Sequence, residues 1–474
     1  MKPFAHPRFD SAQGDARATA NSRPVKPQWV LVAAILGSAM SFIDSTAVTV
    51  SLPVLQRELH ATTAQTQWVI EGYSLFLSAL ILLGGALGDI YGRRTIFGAG
   101  VALFALASLG CALAGTPEML IAARCVQGIG GALLTPGSLA MISAAFEPSQ
   151  RGRAIGLWSG FSALTSAAGP VIGGWLTQHY SWRYVFVINI PIAIAVLAIV
   201  FTRVRESRDE SAVRRIDVRG AALATLGLAL LVYGLIEMNS GRISLDAVLI
   251  VICGLAALGL FVFTERRESD PMVRCDLFAS RDFSAANIYT FFLYGALGGS
   301  LYFVPFVLID IHHYTPTAAG GALLPFVIIM VAASRWSGGL VAKIGSRTPL
   351  LLGGIVAGFG FLAYALPGSD GSYWTTFFPA AAILGCGGAL FVAPLTTTVM
   401  NSVPVEHAGV ASGVNNAVAR TAGLIGIAVL GIVVTASPTY LNGFRAAMIA
   451  SGVLAFVAAA VAFKGFAPFS TPDR

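Results

Sequence analysis

The sequence predicts an all-α membrane protein in which fourteen helices cross a lipid bilayer. Of the 474 residues, 56% are hydrophobic and only 11% are charged, whereas soluble domains are about 25% charged. Fourteen apolar runs have the length of about 20 residues that spans a bilayer. The two halves of the chain also resemble each other, which predicts two six-helix bundles in parallel repeat with two extra central helices.

A polar segment precedes the first predicted span. Residues 1–28 are rich in Ala, Arg, Pro and Ser and contain no apolar run, so we expect a disordered tail rather than a cleaved signal peptide. The apolar runs then place the spans at 29–51, 66–86, 95–115, 118–142, 153–177, 182–202, 217–237, 245–264, 284–308, 318–338, 347–366, 375–400, 408–435 and 443–465. An even number of spans puts both termini on one side of the membrane.

Lys and Arg are distributed unevenly between the two sides of this topology. Of the 30 basic residues, 23 lie on the side of the termini, four lie on the opposite side and three lie within spans. Because cytoplasmic loops carry an excess of Lys and Arg, both termini are predicted to be cytoplasmic. The net charge of +7 therefore belongs to loops of a multi-pass protein of the cytoplasmic membrane, and we expect no nucleic-acid partner.

Two segments of the chain recur 257 residues apart. The sequence Gly128-Ile-Gly-Gly-Ala-Leu returns as Gly385-Cys-Gly-Gly-Ala-Leu, and small residues at 152–156 return at 409–413. Half of the chain is only 237 residues, so about two helices are inserted between the copies. The predicted domains are a tail at 1–28, a bundle at 29–202, two extra spans with cytoplasmic loops at 203–283, a bundle at 284–466 and a tail at 467–474.

A short charged loop separates the second and third spans. Residues Gly84–Arg94 read Gly-Gly-Ala-Leu-Gly-Asp-Ile-Tyr-Gly-Arg-Arg. We expect a tight turn in which Gly88 and Gly92 adopt positive φ, with Arg93 and Arg94 holding the loop at the cytoplasmic surface.

The second half carries a fainter copy of this loop. It runs from Gly339 to Arg347 and has Ala342 at the position of Asp89. The second loop is therefore predicted to keep the turn and to lack the electrostatic role of the first.

The first loop, G-x-L-x-D-x-x-G-R-R, resembles the signature loop between spans 2 and 3 of major facilitator transporters. Further segments resemble the fourteen-span drug:proton antiporters of that superfamily, a multidrug efflux type: Phe42–Pro53 in the first span, Arg124–Ala132 in the fourth, Gly169–Gly174 in the fifth and Trp182–Pro191 in the sixth. The resemblance covers residues 29–465 and is densest in the first half. It implies the major facilitator fold, and a gate loop whose Asp89 region docks on a C-terminal-half helix and steadies the outward-open state.

The fifth-span segment also has a physical interpretation. Gly169, Pro170, Gly173 and Gly174 give the helix a smooth, kinked face on which a second helix can pack closely and pivot. An ordinary glycine-rich packing face is the alternative. This segment resembles the fifth-span box that is characteristic of antiporters as opposed to symporters.

Four polar residues within spans are the candidates for proton coupling. Rise per residue places Asp44 about 13 Å below the outer end of span 1, and Glu71 and Arg124 about 8–9 Å below the ends of spans 2 and 4. An unpaired charge there costs about 3 kcal/mol or more, so one acid should pair with Arg124 and leave the other to carry a proton. Gln127 lies in the same fourth-span segment. Alternatively, Asp44 only braces Arg124 and Glu71 sits in interfacial water.

Other ionisable and reactive residues suggest no separate chemistry. Arg420 lies deep in span 13 without an acid at matching depth in its half, so we expect it to bond helix carbonyls. The 5 cysteines are scattered and are expected to be small core residues. We expect no metal or cofactor, with protons as the coupling ion.

The sequence lacks the motifs of several other membrane proteins. It contains no phosphate-binding G-x-x-x-x-G-K-[ST] loop, no potassium filter, no nucleophile elbow and no H-E-x-x-H, which disfavours ATP-driven pumps, potassium channels and intramembrane hydrolases. We therefore predict a non-enzymatic, monomeric antiporter that exports lipophilic cations or neutral compounds. A proton-coupled importer or facilitative carrier of a nutrient is the alternative, and a non-transporting receptor is the third hypothesis.

Overall fold

In the computed structural model the chain folds into membrane-length α-helices. The structure describes residues 27–208, 217–238, 244–268, 271, 273–367, 372–403 and 408–467. Within these ranges fourteen helices are long and apolar enough to cross a membrane, which confirms the predicted number and fold class. Most of the predicted tails at 1–28 and 467–474 lies outside the described residues.

We number the spans α1 to α14 in chain order. The first bundle contains α1 Pro27–Glu58, α2 Thr63–Tyr91, α3 Arg93–Leu113, α4 Pro117–Ala145, α5 Pro148–His179 and α6 Tyr184–Arg203, which is interrupted at Ile188. The extra helices are α7 Val218–Met238 and α8 Leu245–Glu265. The second bundle contains α9 Arg281–Phe306, α10 Pro316–Ala322 continued by Leu324–Gly338, α11 Arg347–Tyr364, α12 Phe377–Asn401, α13 Ala408–Thr435 and α14 Tyr440–Gly465.

Local sequence signals fix where several helices begin. Thr62 and Gln65 form a reciprocal capping box at the start of α2, which satisfies backbone N–H groups that have no partner inside the helix. Thr116 caps α4 and Ser280 caps α9, each through its hydroxyl oxygen. The caps of α2 and α4 mark helix starts on the side opposite the termini. The cap of α9 marks a helix start on the side of the termini.

The two bundles repeat one packing scheme. In the first bundle α2 and α3 pack on α4, and α1 packs on α5; in the second, α10 and α11 pack on α12, and α9 packs on α13. The bundles meet where α5 contacts α10 and where α2 contacts α13. The packing therefore reproduces the parallel repeat that the recurring glycine segments predicted.

The bundles touch each other at the predicted outer ends of α5 and α10. A Cβ atom on Gly174 would collide with the carbonyl of Pro316, and one on Gly320 would collide with the carbonyl of Pro170. Nearer the start of α5, a Cβ on Gly160 would meet no atom of the described residues within 4 Å. The close contact between α5 and α10 thus lies at the predicted outer ends of these two helices.

The extra helix α7 lies across the junction of the two bundles. It packs against both α2 and α13, and α8 packs mainly on α7. The shared apolar cluster contains Leu75, Ala79, Leu228, Val232, Leu424 and Ala428. Because the cluster draws on both bundles, α7 covers one side of the α2–α13 junction.

The turn between α2 and α3 is tighter than predicted. The helix α2 continues to Tyr91, and Gly92 alone leaves helical geometry, with φ of 111°. The predicted positive φ at Gly88 was wrong, because Gly88 lies inside the helix and its carbonyl accepts the Gly92 N–H at 3.0 Å. In the second half Gly345 has φ of 74°, 253 residues after Gly92.

Candidate functional site

A fully buried ion pair joins α1 and α4 in the first bundle. The Arg124 Nη1 donates to the Asp44 Oδ2 at 2.5 Å, and neither side chain is exposed. The same guanidinium donates from Nε to the Val69 carbonyl at 2.9 Å and from Nη1 to the Gln127 Oε1 at 2.6 Å. Such additional hydrogen bonds offset part of the cost of burying the charges, although the Arg124 Nη2 has no hydrogen-bond partner among the described residues.

Two amide side chains complete the hydrogen bonding of Asp44. The Gln127 Nε2 donates to the Asp44 Oδ1 at 2.9 Å and to the Ser108 Oγ at 2.8 Å. Asn189, just after the interruption in α6, donates to the same Asp44 oxygen at 3.2 Å. Sequence reasoning missed Asn189 and Ser108 as members of this network. The available signal for Asn189 was an amide two residues before Pro191 in an otherwise apolar run.

Aromatic rings enclose the ion pair. The Arg124 guanidinium carbon lies 4.3 Å from the centre of the Tyr73 ring and 5.8 Å from that of Phe186. Stacking of a guanidinium on aromatic faces adds a cation–π attraction. The Tyr73 hydroxyl forms a 2.7 Å hydrogen bond with Ser41. The rings help to bury Arg124, and in a buried site its attraction to Asp44 is stronger than in water.

Glu71 stands apart from this network. Its side chain is 0% exposed, and neither carboxylate oxygen has a hydrogen-bond partner among the described residues. It forms no ion pair with Arg124, whose one acidic partner in the described part of the chain is Asp44. The structure therefore does not place Glu71 in interfacial water, and it leaves one acid without a cation.

Tyr302 of α9, in the second bundle, is within electrostatic range of the Glu71 carboxyl group. The Tyr302 hydroxyl also has no hydrogen-bond partner among the described residues. An ionised carboxylate cannot stay in such surroundings without compensation, whereas a protonated carboxyl group can be buried at much lower cost. This position suits a group that exchanges a proton when the bundles separate.

The charged loop after α2 binds within its own bundle. The Arg93 Nη2 lies 2.8 Å from the Asp89 Oδ1, one helical turn away. The Glu206 carboxylate accepts the backbone N–H groups of Arg94 and Thr95 at 2.9 and 3.1 Å. An acid at a helix N-terminus is stabilised by the free N–H groups and the helix dipole. Sequence reasoning missed Glu206, which lies in the linker after α6.

Docking of this loop on the second bundle stays a prediction. In the described residues its polar contacts are those with Asp89, Glu206 and the backbone after α6. By resemblance, the docking was expected for the outward-open state.

The fifth-span glycines lie between two other helices. A Cβ on Gly169 would collide with the Thr46 Oγ1 of α1, and one on Gly173 would come within 2.6 Å of the Ala47 carbonyl. Gly174 and Pro170 face α10 of the second bundle. These small residues therefore permit close approach of α5 to α1 in its own bundle and to α10 in the second bundle. A pivot between the two bundles would lie at this contact.

Arg420 lies on α13, and among the described residues it does not bond helix carbonyls as we expected. Its Nε donates to the side-chain oxygen of Asn416 at 3.2 Å. It takes part in no ion pair between described residues. The charge of Arg420 is therefore not neutralised by any acidic side chain in the part of the chain that the structure describes.

Comparison with known proteins identifies the family. The profile of the Major Facilitator Superfamily matches residues 34–427. Multidrug resistance protein Stp of Mycobacterium tuberculosis (strain CDC 1551 / Oshkosh) is 36% identical over 408 residues, which cover 86% of this chain and 75% of Stp. The tetracenomycin C resistance and export protein of Streptomyces glaucescens is 32% identical over 424 residues, which cover 89% of this chain and 79% of that protein.

A solved structure shares the fold. It is the crystal structure of a bacterial homolog to the human lysosomal transporter Spinster in an inward-facing and occupied conformation. It matches with a TM-score of 0.70 at 18% identity and covers 94% of this chain and 98% of that chain. Family and fold are those of transporters, with a small-molecule substrate and a membrane environment. The chain therefore belongs to the Major Facilitator Superfamily, within its family of fourteen-span drug-efflux transporters.

Proposed function

We propose that this protein is a proton-coupled antiporter that exports lipophilic small molecules across the cytoplasmic membrane, with both termini in the cytoplasm. Two similar proteins are named for multidrug resistance and for tetracenomycin C resistance and export, which supports export over uptake. The single observation that carries the coupling is the carboxyl group of Glu71 on α2, which is buried and has no hydrogen-bond partner among the described residues.

In this proposal Glu71 carries the proton, and Asp44 is a permanently charged partner of Arg124. Asp44 is saturated by Arg124, Gln127 and Asn189, so its charge is already compensated. Glu71 has no cation to hold its charge, and it changes surroundings when the bundles move. A proton bound from the outer side would be retained while Glu71 is buried and released when the carboxyl group meets water on the cytoplasmic side.

The two bundles would provide alternating access by rocking about the substrate site at their junction. The glycine faces on α5 support this, because they let the bundles slide without a side-chain barrier. The loop that contains Gly88, Asp89, Gly92, Arg93 and Arg94 acts in this proposal as the cytoplasmic gate of the outward-open state. We further propose a monomer that needs no cofactor besides the coupling proton and has no enzymatic activity.

For the substrate, the sequence-based expectation is a lipophilic cation or neutral compound, since two acids accompany one arginine in the outer network. An importer or facilitative carrier is the second candidate function. The fifth-span box and the names of the relatives favour the exporter.

Transport by the purified full-length protein in proteoliposomes tests the proposal. An imposed pH gradient should drive accumulation of ethidium or another lipophilic dye on the acidic side, and adding the dye should release protons. Glu71→Gln should abolish both signals, while Glu58→Gln, which removes an acid at the exposed end of α1, should leave them intact. Uptake of dye in the same direction as the proton would identify a symporter and overturn the proposal.

A further inference from the structure

Arg420 is a positive charge near the middle of the membrane that the mechanism proposed above does not use. It lies 12 residues after Ala408 and 15 residues before Thr435, the ends of α13, so it is about 18 Å and 22 Å from the two ends of the helix. Its side chain is partly exposed. A charge at this depth is costly and is therefore a functional-site hypothesis by default.

No acidic side chain in the described part of the chain neutralises Arg420. Asp310 is the one acidic residue described between positions 284 and 467, and it pairs with Arg57 at 3.4 Å near the outer ends of α9 and α1. Asp44 is held by Arg124. Among the described residues the Nη groups of Arg420 have no hydrogen-bond acceptor, since its recorded bond runs from Nε to Asn416.

The guanidinium points toward the first bundle. The helix α13 packs against α2, and two turns before Arg420 a Cβ on Gly413 would lie 3.2 Å from Leu82 of α2. Arg420 also interacts electrostatically with Tyr73, whose hydroxyl is bonded to Ser41. The side chains that Arg420 meets across the junction are thus neutral, and its charge remains available.

We propose that Arg420 binds an acidic group of the exported molecule, a carboxylate, enolate or phenolate, between the two bundles. This inference rests on the proposed export function and replaces the cation in the sequence-based expectation by a lipophilic anion. A guanidinium offers parallel N–H donors that match a planar carboxylate. The aromatic and apolar side chains of α2 and α13 around it suit the lipophilic body of such a molecule.

An anionic substrate changes the electrical balance of the exchange. Export of a monoanion against one proton moves two elementary charges inward across the membrane, whereas export of a monocation against one proton moves none. Transport of the proposed substrate therefore depends on the membrane voltage as well as on the pH difference.

Binding of fluorescein, an aromatic anion, to the full-length protein in detergent tests the site, with ethidium as the cationic probe. We expect fluorescein to bind the native protein and to bind Arg420→Gln at least about tenfold more weakly, the loss of a charge-assisted hydrogen bond. Arg420→Lys keeps the charge without the paired donors and should bind with intermediate affinity. Lys464→Gln, which removes an exposed charge in the last turn of α14, should bind like the native protein.

The outcomes separate this site from the antiporter proposal. Equal fluorescein affinity of native protein and Arg420→Gln overturns the anion site, as does tighter binding of ethidium than of fluorescein by the native protein. If binding depends on Arg420 but no probe moves under a pH gradient in proteoliposomes, the site stands and the antiporter proposal fails. If Arg420→Gln does not fold, a native-like affinity of Arg420→Lys together with salt-independent fluorescein binding overturns the site.

Discussion

The two six-helix bundles share one packing scheme, yet equivalent positions carry different chemistry. Arg124 and Gln127 of α4 correspond, 257 residues later, to Ala381 and Leu384 of α12, and all four side chains are buried. In the first bundle the two polar groups hold Asp44. In the second bundle the same positions belong to the continuous apolar core.

One helix later, the second bundle carries a charge at a position where the first bundle has a small residue. Arg420 of α13 corresponds at the same spacing to Ala163 of α5. At each of these two pairs of equivalent positions, only one of the two bundles carries an arginine. The small residues at helix contacts instead recur in both bundles, as Gly169 and Gly426 do. The comparison teaches that small residues determine how the bundles pack, and that buried charges are added where a partner or a ligand can compensate them.

The largest expected effect comes from removing the cation of the first bundle. Arg124→Ala leaves Asp44 buried without its counter-charge, which should lower the free energy of unfolding by about 3–5 kcal/mol. Thermal unfolding in detergent measures this. Ala381→Ser, at the equivalent position of the second bundle, should cost far less. An equally large loss in both variants would show that packing, rather than the ion pair, controls stability here.

Removal of the unpaired acid should impair coupling and leave the fold intact. Glu71→Gln keeps the shape of a side chain that has no hydrogen-bond partner among the described residues, so its thermal unfolding should match that of the native protein. Asp44→Asn should instead destabilise the protein, because Arg124 then lacks its partner. Dye-induced proton release should vanish in Glu71→Gln. Normal release in that variant would assign the proton to another group.

A large side chain in the fifth-span box should block movement between the bundles. Gly169→Leu places atoms where Thr46 already lies, and such overpacking costs about 1–3 kcal/mol, so transport should fall at least about tenfold. Gly160→Leu on the same helix enters open space and is the matched control. Dye efflux from cells and thermal unfolding of both variants decide the point. Equal efflux by the two variants would contradict a pivot at the box.

The smallest effect is expected at the gate loop. Asp89→Asn removes the partner of Arg93, a partly exposed pair whose contribution to stability is small. We expect transport to fall severalfold while dye affinity stays unchanged, because the loop lies at the membrane edge. Ala342→Ser in the equivalent loop should change neither quantity. Loss of dye binding in Asp89→Asn would place the substrate site elsewhere.

Much of the fold was predictable because it depends on local properties of the sequence. The length and hydrophobicity of each run predicted fourteen spans, and their bounds agree with the helices within seven residues. The recurring glycine segments predicted the repeat, since small residues mark where helices approach closely. The first-half charges Asp44 and Arg124 were also identifiable, because charged residues are rare within spans.

Tertiary structure alone decided how these groups are partnered. Depth along the helices suggested that Glu71 and Asp44 both face Arg124, but Arg124 pairs with Asp44, and Glu71 has no hydrogen-bond partner among the described residues. Asn189 reaches Asp44 from 145 residues away, and Glu206 reaches the start of α3 from the linker after α6. Such contacts depend on the rotation and crossing of whole helices, which hydrophobic patterning leaves undetermined when every face of a helix is apolar.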